Sequence, residues 1–226
     1  MCFSASASFG VSAVLLAGSV VAIKKTEKPQ QVPFAAIPLI FSAQQFTEGV
    51  LWLSLTNESW QYLQETFTYV FLFFAESLWP IWVPLSVWLL EKIPKRKKII
   101  FSILLLGVGI SGLLAYNLFT SKVVATVSDF HISYHHDIQH PILKYISVVY
   151  FTATVLPPLL SSVKRMMWVG VLILMSYVIT KVFFEEFVIS VWCFFAACIS
   201  IVILYIIMSF QSANNVNNKD SIHPSS

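Results

Sequence analysis

Residues 43–55, AQQFTEGVLWLSL, place three polar side chains in a stretch that is otherwise apolar. On a helix, Gln44 and Glu48 lie four residues apart and Gln45 and Glu48 three apart, so all three side chains share one face. Trp52 continues this stripe one turn further along the chain. A carboxylate inside a membrane span costs roughly 2.5–3.5 kcal/mol on insertion scales and needs a partner or water. The stretch therefore predicts the wall of an internal polar pocket.

The composition is typical of an integral membrane protein. Of the 226 residues, 57% are hydrophobic and 11% are charged, whereas soluble domains carry about 25% charged residues. No basic patch with interleaved aromatic residues marks a soluble nucleic-acid-binding module, so no nucleic-acid partner is expected. The three cysteines do not form the pattern of a disulfide framework.

Seven apolar stretches are long enough to cross a bilayer as helices, which takes about 20 residues each. The alternating pattern that a transmembrane barrel needs is absent, so helices are expected. The predicted spans are residues 6–23, 33–55, 62–90, 99–119, 141–161, 166–184 and 187–210. The predicted fold class is an all-α bundle of seven transmembrane helices over residues 1–210, followed by a disordered cytoplasmic tail at 211–226.

The charges in the loops indicate the orientation of the bundle. Eleven of the 14 basic residues lie in the first, third and fifth loops and the tail. The other three, Lys122, Lys144 and Lys181, lie on the opposite side. Because basic loops stay in the cytoplasm, the N-terminus is predicted to be outside and the C-terminus cytoplasmic, in the cell inner (plasma) membrane.

The one long connection, residues 120–140, joins the fourth and fifth predicted spans. Polar and apolar residues alternate along 129–137, which predicts one strand of a short β-hairpin over the outer face. This loop holds four of the five histidines. Two of them, His131 and His135, are candidate zinc ligands with Cys2, although four strand residues place them about 13 Å apart. Solvated loop histidines and a pH sensor titrating near pH 6.5 are the alternatives.

Glu48 and Glu76 are the candidate catalytic residues. If the spans that carry them are neighbours, the two carboxylates can face each other, and one can act as an acid or a proton carrier. The alternative is a structural glutamate that is hydrogen-bonded to Gln44 or Gln45. The predicted ligand-binding residues are Gln44, Gln45, Glu48, Trp52, Glu76 and Trp192.

Prolines in the third predicted span and glycines in the fourth predict local helix geometry and helix packing. Pro80 cannot donate to the carbonyl of Glu76, and Pro84 cannot donate to that of Pro80, so a kink beside Glu76 is predicted. The fourth span is rich in small residues, which predict the close approach of another helix; these are Gly107, Gly109, Ser111 and Gly112.

Three segments carry a resemblance to known proteins: MCFSASASF at 1–9, PFAAIPLIFSAQQFTEGVLW at 33–52 and WCFFAACIS at 192–200. They resemble an uncharacterised family of bacterial multi-pass membrane proteins that begin Met-Cys-Phe-Ser-Ala and share a span containing glutamine and glutamate. The resemblance covers most of the chain and implies no reaction. The residues that it implies are family features are Cys2, Phe3, Ser4, Gln45, Glu48 and His131.

A weaker similarity is to the seven-span alkaline ceramidase-like hydrolases, in span count, outside N-terminus and intramembrane polar site. Their zinc is held by histidines on helices, whereas the predicted spans of this chain contain no histidine. The similarity is therefore one of fold alone.

Three functions follow as hypotheses. The first is an outward-facing polar cavity that binds a small molecule or a lipid head group within the bilayer. The second is a metal-dependent intramembrane hydrolase of ceramidase-like architecture, with zinc as the candidate metal, in which loop histidines and Glu48 or Glu76 activate water. The third is a proton-coupled transporter that uses the two glutamates as carriers, although no polar stripe reaches the cytoplasmic half. The first is favoured because the chain offers no complete set of metal ligands.

Overall fold

The architecture is a helical bundle with one small antiparallel sheet. The computed structural model describes residues 4–128, 131–137, 143–183 and 187–222. A π-helical turn, Phe73–Leu78, joins α4 to α5, and 3₁₀ turns at Pro29–Gln31 and Glu58–Leu63 precede α2 and α4. The helices are α1 (Ala5–Lys24), α2 (Val32–Ala35), α3 (Ile37–Thr56), α4 (Gln64–Leu72), α5 (Trp79–Leu90), α6 (Pro94–Thr120), α7 (Leu143–Leu160), α8 (Met166–Phe183) and α9 (Val188–Ile222). The last helix continues past residue 210, and the division into a bundle and a tail stays a prediction.

Five helices within the described residues are long and apolar enough to cross a membrane. The other two predicted spans are also helical, as α3 and α7, but they fall outside this set. The apolar part of α7 is short, at Tyr145–Leu160, and α3 carries the polar residues of the 43–55 stretch. The five are Ala5–Lys24, Glu58–Leu90, Pro94–Thr120, Met166–Phe183 and Ile189–Ile207.

The helix with the polar stripe, α3, packs against α1, α4 and α9. Gln44, Gln45 and Glu48 are all fully buried by these neighbours. On the side of α1, the hydroxyl of Ser12 donates to the carbonyl of Ser42 at 2.9 Å, and the hydroxyl of Ser42 donates to the carbonyl of Ser12 at 2.8 Å. The surroundings of α3 are therefore protein rather than lipid, which removes the cost of exposing its polar groups to acyl chains.

The π-helical turn lies directly before Pro80, where the sequence predicts a kink. Pro80 has no N–H, so the carbonyls four and five residues earlier, of Glu76 and Ala75, lose a backbone donor. The hydroxyl of Tyr150 on α7 donates to the carbonyl of Ala75 at 2.6 Å and so replaces that donor. The turn is therefore held open by a side chain from another helix.

Close packing of α5 and α6 depends on Gly107. A Cβ added at this glycine would lie 1.9 Å from the carbonyl oxygen of Pro80, which Pro84 leaves without its usual helical donor. Gly109 and Gly112 have open space within 4 Å of an added Cβ. Among these three glycines, only Gly107 therefore serves the close approach that the sequence predicts.

The predicted β-hairpin is confirmed as β1 (Val123–Ser128) paired antiparallel with β2 (His131–His136). The register pairs Val123 with His136 and Ser128 with His131. Ile132 is fully buried in a cluster with Leu51 at one end of the bundle, which we call the hairpin end. Burial does not alternate along β2, because the adjacent residues Ile132 and Ser133 are both buried, so the period of two marks the extended strand rather than a single buried face.

The opposite end of the bundle, which we call the basic end, contains residues 24–28, 91–98 and 161–165. There Glu91, only 2% exposed, connects the turn after α5 to the turn after α7. One oxygen accepts from the backbone N–H groups of Lys92 and Ile93, both at 2.9 Å, and from the hydroxyl of Ser162. The other accepts from the N–H of Ser162 at 2.7 Å and the hydroxyl of Ser161 at 3.1 Å. Burial opposes ionisation, but these hydrogen bonds outweigh it together and lower the pKa of Glu91 to about 2.

Candidate ligand-binding site

Glu48 lies at the contact between α3 and α9, fully buried. The hydroxyl of Ser190, at the start of α9, donates to one carboxylate oxygen at 2.8 Å. The amide nitrogen of Gln45 donates to the other at 3.1 Å. These bonds provide the partners that a carboxylate at this depth requires, and they agree with the structural alternative for Glu48.

Gln44 faces α5 and the middle of the bundle. Its Oε1 accepts from the indole N–H of Trp79 at 2.9 Å, and Trp79 stacks on Phe41 with ring centroids 3.9 Å apart. The thiol of Cys193 lies beside the same amide. The amide nitrogen of Gln44 is buried and has no hydrogen-bond partner among the described residues.

Glu76 occupies the π-helical turn and pairs with the hairpin. Its Oε1 lies 3.4 Å from Nε2 of His136, and the two side chains are 15% and 16% exposed respectively. The hydrogen bond to Glu76 raises the pKa of His136 above 6.5, although partial burial of the imidazole opposes the rise. This pair attaches β2 to the one irregular turn of the long α4–α5 span.

The two candidate catalytic glutamates thus have separate partners in the structure. Both carboxylates act electrostatically on the thiol of Cys193 on α9. Glu48 bonds to α9 and Glu76 to the hairpin. A catalytic role for either residue stays a prediction.

A cavity of about 60 Å³ extends from the middle of the bundle towards the basic end. Of the predicted ligand-binding residues, only Trp192 lies on this wall, and the outward-facing polar pocket expected from the sequence stays a prediction. The indole N–H of Trp192 is buried and has no partner among the described residues. The lining is mainly aliphatic and aromatic: Phe34, Ile37, Phe41, Trp79, Val83, Val87, Tyr150, Thr154, Pro158, Val169, Ile173, Trp192, Cys193, Ile199 and Ile203.

The polar cluster and the cavity meet at three residues. Trp79 links the cavity wall to Gln44, Cys193 lies beside the side-chain amide of Gln44, and the Tyr150 hydroxyl reaches the π-helical turn. The ring of Trp192 packs edge-on against Tyr150, with ring centroids 5.8 Å apart. One end of an otherwise apolar cavity is therefore bordered by hydrogen-bonding groups.

Comparison with known proteins places the chain in a family. The sequence profile of DUF6629, described as a family of unknown function, matches residues 1–218. The chain belongs to the DUF6629 family. This assignment confirms the predicted resemblance to a family without an assigned activity. Comparisons with curated proteins and with solved structures gave no match.

The proposed metal ligands of this DUF6629 chain are not gathered in the structure. The ring of His131 stacks on Phe187 with centroids 4.6 Å apart, whereas His135 is exposed on β2. Cys2 lies outside the described residues. Within the described ranges, no group of three His, Cys, Asp or Glu side chains is close enough to hold a metal ion. Zinc binding by His131, His135 and Cys2 stays a prediction.

Trp52 and three residues outside the predicted set complete the environment of the polar cluster. Trp52 packs with the hairpin rather than on the cavity wall, and its buried indole N–H has no partner among the described residues. Sequence reasoning missed Trp79, Tyr150 and Ser190. Ser190 lies three residues before Cys193, which places both on one helix face. Tyr150 gives no comparable signal, because its partner is a backbone carbonyl 75 residues away.

Proposed function

We propose that this DUF6629 protein is a seven-span protein of the cell inner (plasma) membrane that holds an amphiphilic small molecule or lipid inside the bundle. The observation that carries the proposal is the mainly apolar cavity in the middle of the bundle, on whose wall the buried N–H of Trp192 has no partner among the described residues. An apolar body would fill the cavity, and an acceptor oxygen on the ligand would take the hydrogen bond of Trp192.

The membrane placement extends the five apolar helices to seven spans by adding α3 and α7. At 1.5 Å per residue, the 20 residues of α3 reach about 30 Å, the thickness of the hydrocarbon core. Burial of α3 by its neighbours supports its position there despite its polar side chains. The basic end then faces the cytoplasm, which puts the N-terminus outside and the C-terminus inside.

The chemistry of the cavity favours a ligand with a long apolar part and one small polar group. Aliphatic and aromatic side chains form most of the wall, and burial of apolar ligand surface against them supplies the affinity. Trp192 and Tyr150 supply polar groups at the end of the cavity that lies in the middle of the bundle. A highly charged ligand would leave its charges unpaired against this wall, which is costly in a low-dielectric site.

A cavity-filling substitution tests the proposal. Ile173→Trp places a large ring in the cavity, and Leu172→Trp, at the neighbouring exposed position on α8, adds the same ring outside it. Purified wild-type and variant proteins are extracted with solvent, and co-purifying small molecules and lipids are quantified by mass spectrometry. We expect a species at a fixed stoichiometry in the wild type and Leu172→Trp that is lost from Ile173→Trp.

The polar contact is tested by Trp192→Phe, which keeps an aromatic ring but removes the N–H. Saturable quenching of tryptophan fluorescence by a bromine-labelled long-chain alcohol gives the affinity. We expect it to weaken about fivefold, as for the loss of one net hydrogen bond of about 1 kcal/mol. Equal amounts of co-purifying molecules in the wild type, Leu172→Trp and Ile173→Trp, together with no saturable quenching of the wild type, would refute ligand binding in this cavity.

A further inference from the structure

A second pocket lies at the basic end, between the start of α6 and the end of α7. Two cations, Lys95 and Arg96, and three aliphatic side chains, Ile99, Leu159 and Leu160, line it. It is therefore charged on one side and apolar on the other. This combination matches a phospholipid, whose phosphate is anionic and whose chains are apolar.

The charge at this pocket is strongly positive. Residues 92–98 contain five lysines and arginines, and the first turn of α6 has no acidic residue and no side-chain cap. The nearby carboxylate of Glu91 is almost completely buried and accepts hydrogen bonds from its own and the neighbouring turn. The backbone N–H groups of Lys95 and Arg96, which come before the first hydrogen bond of α6 from Lys97 to Ile93, add to the attraction for an anion.

The pocket is also held in place before any ligand binds. One guanidinium nitrogen of Arg96 donates to the carbonyl of Leu160 at 3.1 Å, which leaves its other N–H groups available. Glu91 fixes the two turns that carry the pocket to each other through Ser161 and Ser162. Lys97 lies over the ring of Trp88, 5.0 Å from its centroid, and this contact holds its side chain against α5, outside the pocket.

We infer that this pocket binds the head group of an anionic phospholipid of the cytoplasmic leaflet, with an acyl chain along Ile99 and Leu159. The inference rests on the membrane placement proposed above but not on the internal cavity. Lys95 and Arg96 contact the phosphate, and Arg96 can offer two N–H groups to it at once. Basic pockets between transmembrane helices on the cytoplasmic side are suited to this role.

The test compares lipids that differ only in head-group charge. Native mass spectrometry of the full-length protein in detergent measures binding of dioleoyl phosphatidylglycerol and of dioleoyl phosphatidylcholine. The double variant Lys95→Gln/Arg96→Gln removes both pocket cations, and Lys24→Gln/Lys28→Gln removes two charges at the same end of the bundle but outside the pocket. Lys95→Gln alone keeps the contact of Arg96 with α7, so it remains informative if the double variant does not fold.

We expect the wild type and Lys24→Gln/Lys28→Gln to prefer phosphatidylglycerol. Its affinity should fall about fivefold in Lys95→Gln and about twentyfold in the double variant, with phosphatidylcholine binding unchanged. An equal loss in the control pair would show diffuse attraction to the whole basic end and would overturn the site. Displacement of the lipid by millimolar inorganic phosphate would also overturn it, because the pocket would then recognise a free anion without the apolar chain.

Discussion

The contact of α6 with α5 at Gly107 predicts a large loss of stability for Gly107→Ala. The added methyl group would lie 1.9 Å from the carbonyl oxygen of Pro80 and 2.9 Å from its carbonyl carbon. Real Cβ atoms essentially never approach a heavy atom within 3.0 Å, so the two helices must separate locally by about 1 Å. Both partners are backbone, so no side chain can rotate away.

The magnitude follows from two opposing terms. Overpacking of this kind costs typically about 1–3 kcal/mol, and a contact made only by backbone belongs at the upper end of that range. The replacement of a helical glycine by alanine returns about 0.5–1 kcal/mol through backbone entropy. We therefore expect Gly107→Ala to lower the free energy of unfolding by about 2 kcal/mol.

Gly109→Ala and Gly112→Ala are matched controls on the same helix, because neither added methyl group meets any atom within 4 Å. At these two positions only the gain in backbone entropy acts, so both substitutions should leave the free energy of unfolding unchanged or raise it slightly. Unfolding by sodium dodecyl sulfate in mixed micelles, followed by tryptophan fluorescence, gives the free energies. If Gly107→Ala proves as stable as the two controls, α6 does not approach Pro80 as described.

Three further predictions concern buried charges. Glu91 has a depressed pKa, so its contribution is present above about pH 4.5 and is lost as the pH falls towards 2; Glu91→Gln should flatten the acid limb of the stability profile measured by thermal unfolding. His136 has a raised pKa, so its pairing with Glu76 stabilises the fold below pH 6.5, and this stabilisation is lost as the pH rises through the raised value. His136→Gln should therefore remove a pH dependence of about 1 kcal/mol from the free energy of unfolding. An unchanged dependence of stability on pH in this variant would contradict the pairing. In the same detergent titration, Glu48→Ala should lower the free energy of unfolding by about 2–5 kcal/mol and Ser190→Ala by only about 1 kcal/mol. The difference arises because Glu48→Ala removes the shared acceptor of two buried donors, the amide of Gln45 and the hydroxyl of Ser190. Equal losses of stability in the two variants would argue against this hydrogen-bond network.

Local patterns in the sequence predicted the elements whose signal is short-range. The alternation along residues 129–137 predicted β2, because a half-buried strand repeats every two residues. Pro80 predicted the break beside Glu76, because a missing N–H disrupts any helical ladder at a fixed distance. The shared face of Gln45 and Glu48 likewise appears as a direct hydrogen bond.

Features that depend on distant residues could not be predicted in this way. Glu91 precedes a run of lysines and resembles a solvated loop residue, and its partners Ser161 and Ser162 lie 70 and 71 residues away. The position of the cavity depends on how six helices pack, and periodicity within one helix carries no information about the space between helices. Hydropathy similarly ranks α3 below its neighbours, although its burial within the bundle makes a polar stripe acceptable.

The burial of α3 has a consequence for biogenesis. The partners of its polar side chains on α5 and α9 are synthesised after it, because Trp79 follows Gln44 by 35 residues and Ser190 follows Glu48 by 142. At about 5–20 residues per second, the ribosome needs roughly 7–28 s to produce the second partner. During that interval the carboxylate of Glu48 lacks its hydrogen bond from α9. We therefore expect α3 to remain at the insertion machinery, packed against α1, and to enter the bilayer together with other helices rather than alone.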